Sequence, residues 1–128
     1  MSTFTLYHGN SDVNALESIV KNGFDTSRIG SGWGTTYGDG IYFTDDLKIA
    51  HEVYSGKNGF VVKVEVSVNP YKLTKDYSVS NKKQINKIIN ENIKTKKHNM
   101  LITASIEPEY VLFDMDCIKS LSLLKISN

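Results

Sequence analysis

Three side chains of different chemistry stand beside strand-forming residues along this 128-residue chain. They are His8 in Tyr7-His8-Gly9, Tyr42 in Gly40-Ile41-Tyr42-Phe43, and Glu109 in Glu109-Tyr110-Val111. A carboxylate fixed in a dry site stabilises positive charge that develops in a transition state. Tyrosine faces attract both cations and flat rings, and Tyr54 offers a second such face. Glu107 precedes Glu109 by two positions. Residues two apart on a strand share a face, so both carboxylates are expected to reach the same place. Groups of these types serve to hold a flat or cationic moiety and to steady a developing cation.

In this order and at this spacing, the three segments resemble the His-Tyr-Glu signature of the ADP-ribosyltransferases related to diphtheria toxin and poly(ADP-ribose) polymerase. The resemblance runs from residue 5 to about residue 120. It implies an NAD-dependent mono-ADP-ribosyltransferase that breaks the nicotinamide–ribose bond and passes ADP-ribose to a macromolecular acceptor, protein or nucleic acid. The leaving group is already cationic and needs no general acid, and the transition state is oxocarbenium-like, as in glycoside hydrolysis. Glu109, His8 and Tyr42 are then the expected catalytic residues. The resemblance places Glu109 at the nicotinamide-ribose 2′-hydroxyl, with Glu107 orienting the acceptor, and His8 on the adenosine ribose. Gly9 would bring its backbone against the carboxamide, in the room left by a missing Cβ. Tyr42 and Tyr54 would form the slot for the pyridinium.

Three departures accompany the match. Many relatives have serine or threonine after the glycine, whereas here Asn10 and Ser11 are the residues expected to supply a second ribose contact. Tyr42 and Tyr54 are separated by one residue more than in the relatives. The serine that lies three before the second tyrosine in the polymerase branch is His51 here, which could donate the same hydrogen bond. NAD is the expected co-substrate, and no metal is expected. The competing readings are an NAD glycohydrolase, with water as acceptor, and a non-catalytic module that binds NAD or ADP-ribose. An RNA 2′-phosphotransferase would want several arginines around a phosphate, and Arg28 stands alone against fourteen lysines.

The elements that must position these residues follow from local pattern. Residues 3–8 read as a strand. Ser11 is expected to cap a helix from Asp12 to Asn22, with Val13, Leu16, Ile19 and Val20 on its apolar face and Gly23 as its stop. Residues 25–39, with Gly30, Gly32, Gly34 and Gly38, read as a mobile loop. It stands where the family has a lid over NAD, so Arg28 is expected at the pyrophosphate and Trp33 or Tyr37 over the ligand. A short strand over 40–44 leads to a helix capped by Asp45 that carries Leu47, Ala50, Val53 and Tyr54. Alternating valines mark a strand over 59–68. A helix over about 81–94 turns Ile85, Ile88, Ile89 and Ile93 inward. Segments 100–105, 109–114 and 117–124 read as closing strands. The pattern is α+β, and the resemblance implies the ADP-ribosyltransferase fold: two small packed β-sheets around an NAD cleft, with flanking helices.

Composition sets the remaining bounds. The length fits one domain, residues 1–128, with a modest core. Hydrophobic residues at 40% and charged residues at 23% are ordinary globular values. Cys117 is the single cysteine, so no internal disulfide forms, which fits a reducing, cytoplasmic setting. The start lacks the basic and apolar regions of a secretory signal, and no apolar stretch approaches membrane-spanning length. A monomer without membrane attachment is therefore expected. Lys82, Lys83, Lys87, Lys94, Lys96 and Lys97 face a single acid, Glu91, over residues 82–97. The plain reading is a solvated lysine face opposite the isoleucines; the alternative is a track for a nucleic-acid backbone.

Overall fold

A computed structural model describes residues 1–25, 37–77 and 79–126. Its elements are β1 (Ser2–His8), α1 (Val13–Asn22), β2 (Ile41–Thr44), α2 (Leu47–Ile49), β3 (Phe60–Val68), β4 (Pro70–Lys72), α3 (Lys82–Asn92), β5 (Met100–Ile102), β6 (Glu109–Leu112) and β7 (Ile118–Lys125). The fold is mixed α+β. Among the described residues the strands form one hydrogen-bonded sheet in the order β4-β5-β6-β2-β1-β3-β7. Only β4 and β5 run parallel; every other neighbouring pair is antiparallel.

The expected pair of separate sheets is thus corrected to a single sheet with a narrow joint. β1 and β3 pair over seven positions, from Ser2↔Val68 to His8↔Val62. β2 and β6 pair along their whole length. Between these halves β1 and β2 share the one pair Tyr7↔Thr44. Each face of the sheet has its own apolar cluster. On one face Leu6, Val62, Val64, Val66 and Leu112 pack under Leu16 of α1. On the other, Ile85 and Ile89 of α3 pack with Leu101 and Val111. The valine alternation in β3 behaves as its period of two requires, since Val62, Val64, Val66 and Val68 are fully buried together.

Two helix caps differ from expectation by one residue each. Asp12, not Ser11, caps α1: its carboxylate accepts from the Asn14 N–H at 2.9 Å. Ser11 is exposed. Asp46, not Asp45, caps α2 by accepting from the Lys48 and Ile49 N–H groups. Both aspartates could accept, but the residue with extended backbone immediately before the first helical turn takes the role. Asp45 instead accepts the Tyr110 hydroxyl at 3.0 Å, tying β6 to the end of β2. Gly23 ends α1 as expected, at φ 80° with its N–H on the Ile19 carbonyl.

α2 is only three residues long and passes into a π-helical turn, Ala50–Tyr54. The Ser55 N–H closes that turn on the Ala50 carbonyl at 2.9 Å. A π turn holds one more residue than an α turn. The turn packs hard against the end of β1. A Cβ on Gly9 would run into the Ala50 carbonyl oxygen and stand 2.7 Å from Ser55 Oγ and 2.8 Å from Tyr54 Cβ. All three neighbours belong to the π turn and its cap, so little can give way. Gly9→Ala is therefore expected to destabilise the fold by about 1–3 kcal/mol, the usual scale of overpacking. Ser11→Ala, at an exposed site, should stay within about 0.5 kcal/mol of wild type. Equal unfolding midpoints for the two variants in urea would contradict this packing.

Candidate functional site

The strands that carry the glutamate, the tyrosine and the histidine are neighbours in space: β6, β2 and β1 in that order. Opposed residues of an antiparallel pair share a face. Thr44 stands opposite Glu109, and Tyr42 opposite Val111. Tyr42, Thr44, Glu109 and Val111 therefore project to one face, and Tyr7, opposite Thr44, joins them. His8 follows Tyr7 and projects to the other face. Its ring meets Phe24 and Phe43 edge-on, at 5.2 and 5.8 Å between centroids.

His8 joins the site through the backbone instead. The β1–β2 ladder carries no pair beyond Tyr7↔Thr44, and the next contact is made by a side chain: His8 Nδ1 lies 3.3 Å from the Tyr42 carbonyl oxygen. A carbonyl can only accept, so Nδ1 carries the proton. Burial lowers the His8 pKa, against the opposing pull of the Tyr42 carbonyl. The ring is thereby kept neutral, with Nε2 left as an acceptor.

Glu109 opens β6 and is partly buried. Its N–H donates to Thr103 Oγ1 at 2.8 Å, and its carbonyl accepts from the Thr103 N–H at 3.0 Å. Ser105 gives its hydroxyl proton to the Glu107 carbonyl at 2.9 Å, so the 2.9 Å contact between Thr103 and Ser105 is donated by Thr103. A single chain of hydrogen bonds thus runs from the Glu109 N–H through two hydroxyls to the Glu107 carbonyl. Thr103 and Ser105 are site-building residues that the sequence did not single out. A threonine and a serine before a turn give no signal until the turn folds back on β6.

Among the described residues the Glu109 carboxylate has no hydrogen-bond or ion-pair partner. Burial raises its pKa, and the negative charge of Asp76 raises it further. Tyr42 and Tyr54 feel that carboxylate in turn. Burial pushes both hydroxyl pKa values up, and Glu109 adds to the rise in each. Tyr42 is anchored at its tip: its hydroxyl accepts from the Tyr37 N–H at 2.9 Å and donates to the Gly38 carbonyl at 3.1 Å. Tyr54 is 45% exposed, a large apolar surface left open beside Glu109 and Glu107.

Other expectations shift. Tyr37 does not close over a ligand: it is buried, and its hydroxyl is clamped to the Tyr77 backbone, donating to the carbonyl at 2.9 Å and accepting from the N–H at 3.2 Å. Asn10 turns inward to the chain, its Oδ1 accepting from the Asp12 N–H, while the N–H of Asn10 donates to Ser55 Oγ. His51 is buried and its Nε2 accepts from the Gly59 N–H at 3.0 Å, so it holds the turn before β3. The space beside Gly9 is filled by the π turn, so packing against that turn demands the missing Cβ. Glu107 is exposed and lies in the turn before β6, not on the strand, so strand alternation does not align it with Glu109. Arg28 and Trp33 lie outside the described residues. Among the described residues no group of three or more His, Cys, Asp or Glu side chains could hold a metal ion. No helix there is long and apolar enough to cross a membrane.

The Glu109 carboxyl should titrate above the ordinary glutamate range in carbon-13 NMR. Asp76→Asn should move its midpoint down, because a neighbouring negative charge disfavours the ionised form. The ionised carboxylate is thus lost on acidification at a higher pH than usual, and at a lower pH in the variant than in wild type. An unmoved midpoint would show that the two acids are not coupled.

No curated protein matches the chain. The family description "Poly(ADP-ribose) polymerase catalytic domain" matches residues 1–111, a span that takes in β1, β2, the π turn and Glu109 at the head of β6. Because that match covers most of the chain, the protein belongs to the poly(ADP-ribose) polymerase catalytic-domain family and carries an ADP-ribosyltransferase-like catalytic domain.

Proposed function

We propose that this single domain is an NAD-dependent mono-ADP-ribosyltransferase acting on a macromolecular acceptor, with Glu109 as its catalytic carboxylate. The observation that carries this reading is a half-buried glutamate with no partner of its own among the described residues, on the face shared with Tyr42 and within electrostatic reach of an exposed Tyr54. A charge desolvated without compensation is costly. A site that meets a cationic sugar recovers that cost during the reaction.

NAD supplies a ribose C1′–N bond whose electron pair leaves with nicotinamide as the bond from C1′ to the acceptor forms. The chain's residues do the rest. Glu109 opposes the positive charge on the sugar and takes the proton from an acceptor hydroxyl where there is one. Tyr42, pinned at its hydroxyl, and Tyr54, open to solvent, present the aromatic faces for the pyridinium. The π turn takes up the extra residue between these tyrosines, which supports Tyr54 as the second wall of the slot. His8 acts from the other face of the sheet as a positioning residue, its Nδ1–H holding the Tyr42 carbonyl. Thr103 and Ser105 fix the turn that sets Glu109 and Glu107. Glu107, exposed at the site's rim, faces the acceptor. We place the activity in the cytoplasm, following the single cysteine.

Glu109→Gln should unfold at the same temperature as wild type and still bind NAD, yet lose transfer by about 10²-fold or more. Normal turnover in that variant, measured as nicotinamide release, would refute the assignment. A wild-type protein that releases ADP-ribose to water and labels no macromolecule would be a glycohydrolase, and one that consumes no NAD would be a binding module.

The second expectation concerns the slot. Tyr54→Ala should weaken NAD binding by about 1 kcal/mol, roughly fivefold, through the lost ring face. Tyr54→Phe should change it little. Equal losses in titration calorimetry would transfer the role from the ring to the hydroxyl.

A further inference from the structure

Eight of the fourteen lysines but only two of the fourteen acids lie between Lys72 and Lys97. That segment carries +6 in a chain whose net charge is +1, so the remainder carries −5. All eight lysines, Lys72, Lys75, Lys82, Lys83, Lys87, Lys94, Lys96 and Lys97, are exposed. Among the described residues the ion pair is Lys63–Glu65, elsewhere in the sheet, so the acids Asp76 and Glu91 neutralise none of them at contact.

Several of these lysines sit where they oppose the local structure. Lys82 and Lys83 occupy the first turn of α3, which holds no acid. Cations there face the positive end of the helix dipole. Lys83 and Lys87 are an i, i+4 pair of like charge, which destabilises a helix. Lys96 adopts φ 62°, a left-handed conformation uncommon in residues other than glycine. Local rules broken together without compensation point to a function, and a bound polyanion would relieve the electrostatic ones.

The surface is joined to the reactive site. Ile85 and Ile89 of α3 pack in the same cluster as Val111 and Tyr42, on the sheet face that carries Glu109. Lys75 lies over the Tyr77 ring at 5.5 Å, and the Tyr77 backbone clamps the Tyr37 hydroxyl, whose own N–H holds Tyr42.

We infer that the lysine surface from Lys72 to Lys97 docks the phosphate backbone of a nucleic-acid strand, which makes nucleic acid the acceptor class for Glu109. The acceptor half of this inference rests on the transferase reading above; the docking half does not. A protein partner fits less well. Protein interfaces are depleted in lysine and centre on apolar and aromatic anchors, and among the described residues the exposed large apolar side chains, Met1, Val53, Tyr54 and Ile106, lie outside the segment. Phosphate contact needs only point charges and carries no demand for sequence. The acids Asp76, Glu107 and Glu109 stand at the reactive site itself, so the backbone stays on the lysines while the reacting group reaches the glutamate.

The test uses the full chain without NAD and a fluorescein-labelled oligonucleotide, single-stranded and duplex, between about 50 and 200 mM NaCl. Wild type should bind with an affinity that falls steeply with salt. The triple variant Lys82→Gln, Lys83→Gln, Lys87→Gln should bind at least tenfold more weakly and show a log–log salt slope shallower by about 2 to 3. The matching triple Lys→Arg variant should retain both. Glu109→Gln should bind the oligonucleotide as wild type does, while in the presence of labelled NAD only wild type marks it. Three outcomes would overturn the docking inference: no binding by wild type, unchanged binding by the glutamine triple, or displacement by polyglutamate at matched charge, which assigns the face to an acidic protein. Binding without label on the nucleic acid would overturn the acceptor half alone.

Discussion

The joint between β1 and β2 governs the site. Two well-paired halves of the sheet meet through the single pair Tyr7↔Thr44. A wider ladder would bury the end of β1 against β2 and leave His8, Gly9 and Tyr42 as ordinary strand residues. Because the ladder stops, a side chain takes over where a backbone group would otherwise bond: His8 Nδ1–H reaches the Tyr42 carbonyl. That contact keeps the two halves in register, fixes the histidine tautomer and frees Nε2. Buried backbone acceptors must be satisfied, and here the requirement is met by the His8 side chain.

The glutamate depends on a different device. Its backbone is held on both sides by Thr103, and the hydroxyl chain through Ser105 reaches back to Glu107. The turn before β6 is thereby fixed without any bond to the carboxylate. Polar groups satisfy the main chain, while the side chain is partly buried with no partner among the described residues. Asp76 adds like charge. The result is a carboxyl group whose ionisation is disfavoured by its own surroundings and favoured by an incoming cation.

The π turn at Ala50–Tyr54 links the two. It presses on Gly9 from one side and presents Tyr54 on the other, so an extra residue between the tyrosines is absorbed locally and not passed on to β3. His51, drawn inward by that turn, accepts a hydrogen bond from the Gly59 N–H. Across the molecule, charge divides in a similar way. Asp76 and Glu107 stand near Glu109, and lysines gather on α3 and its flanks, which bury Ile85 and Ile89 beneath them.

Much of this was legible in the residues themselves. The valines of β3, the isoleucines of α3 and the stop at Gly23 follow from periodicity and backbone freedom, which are local. The order of His8, Tyr42 and Glu109 pointed to the family for the same reason, since each segment is a short strand end with a recognisable composition. The choice of Asp46 over Asp45, and of Asp12 over Ser11, was not legible, because neighbouring residues of equal capping power are told apart only by which one has extended backbone. Nor was the fate of His51, Asn10 and Tyr37, whose partners Gly59, Ser55 and Tyr77 lie eight, forty-five and forty residues away and come within reach only as the chain folds. Sequence determined which groups are present and what chemistry they can do. Tertiary structure alone decided which of them keep an unsatisfied atom, because a hydrogen-bonding group is available for function only when folding has left it without a partner.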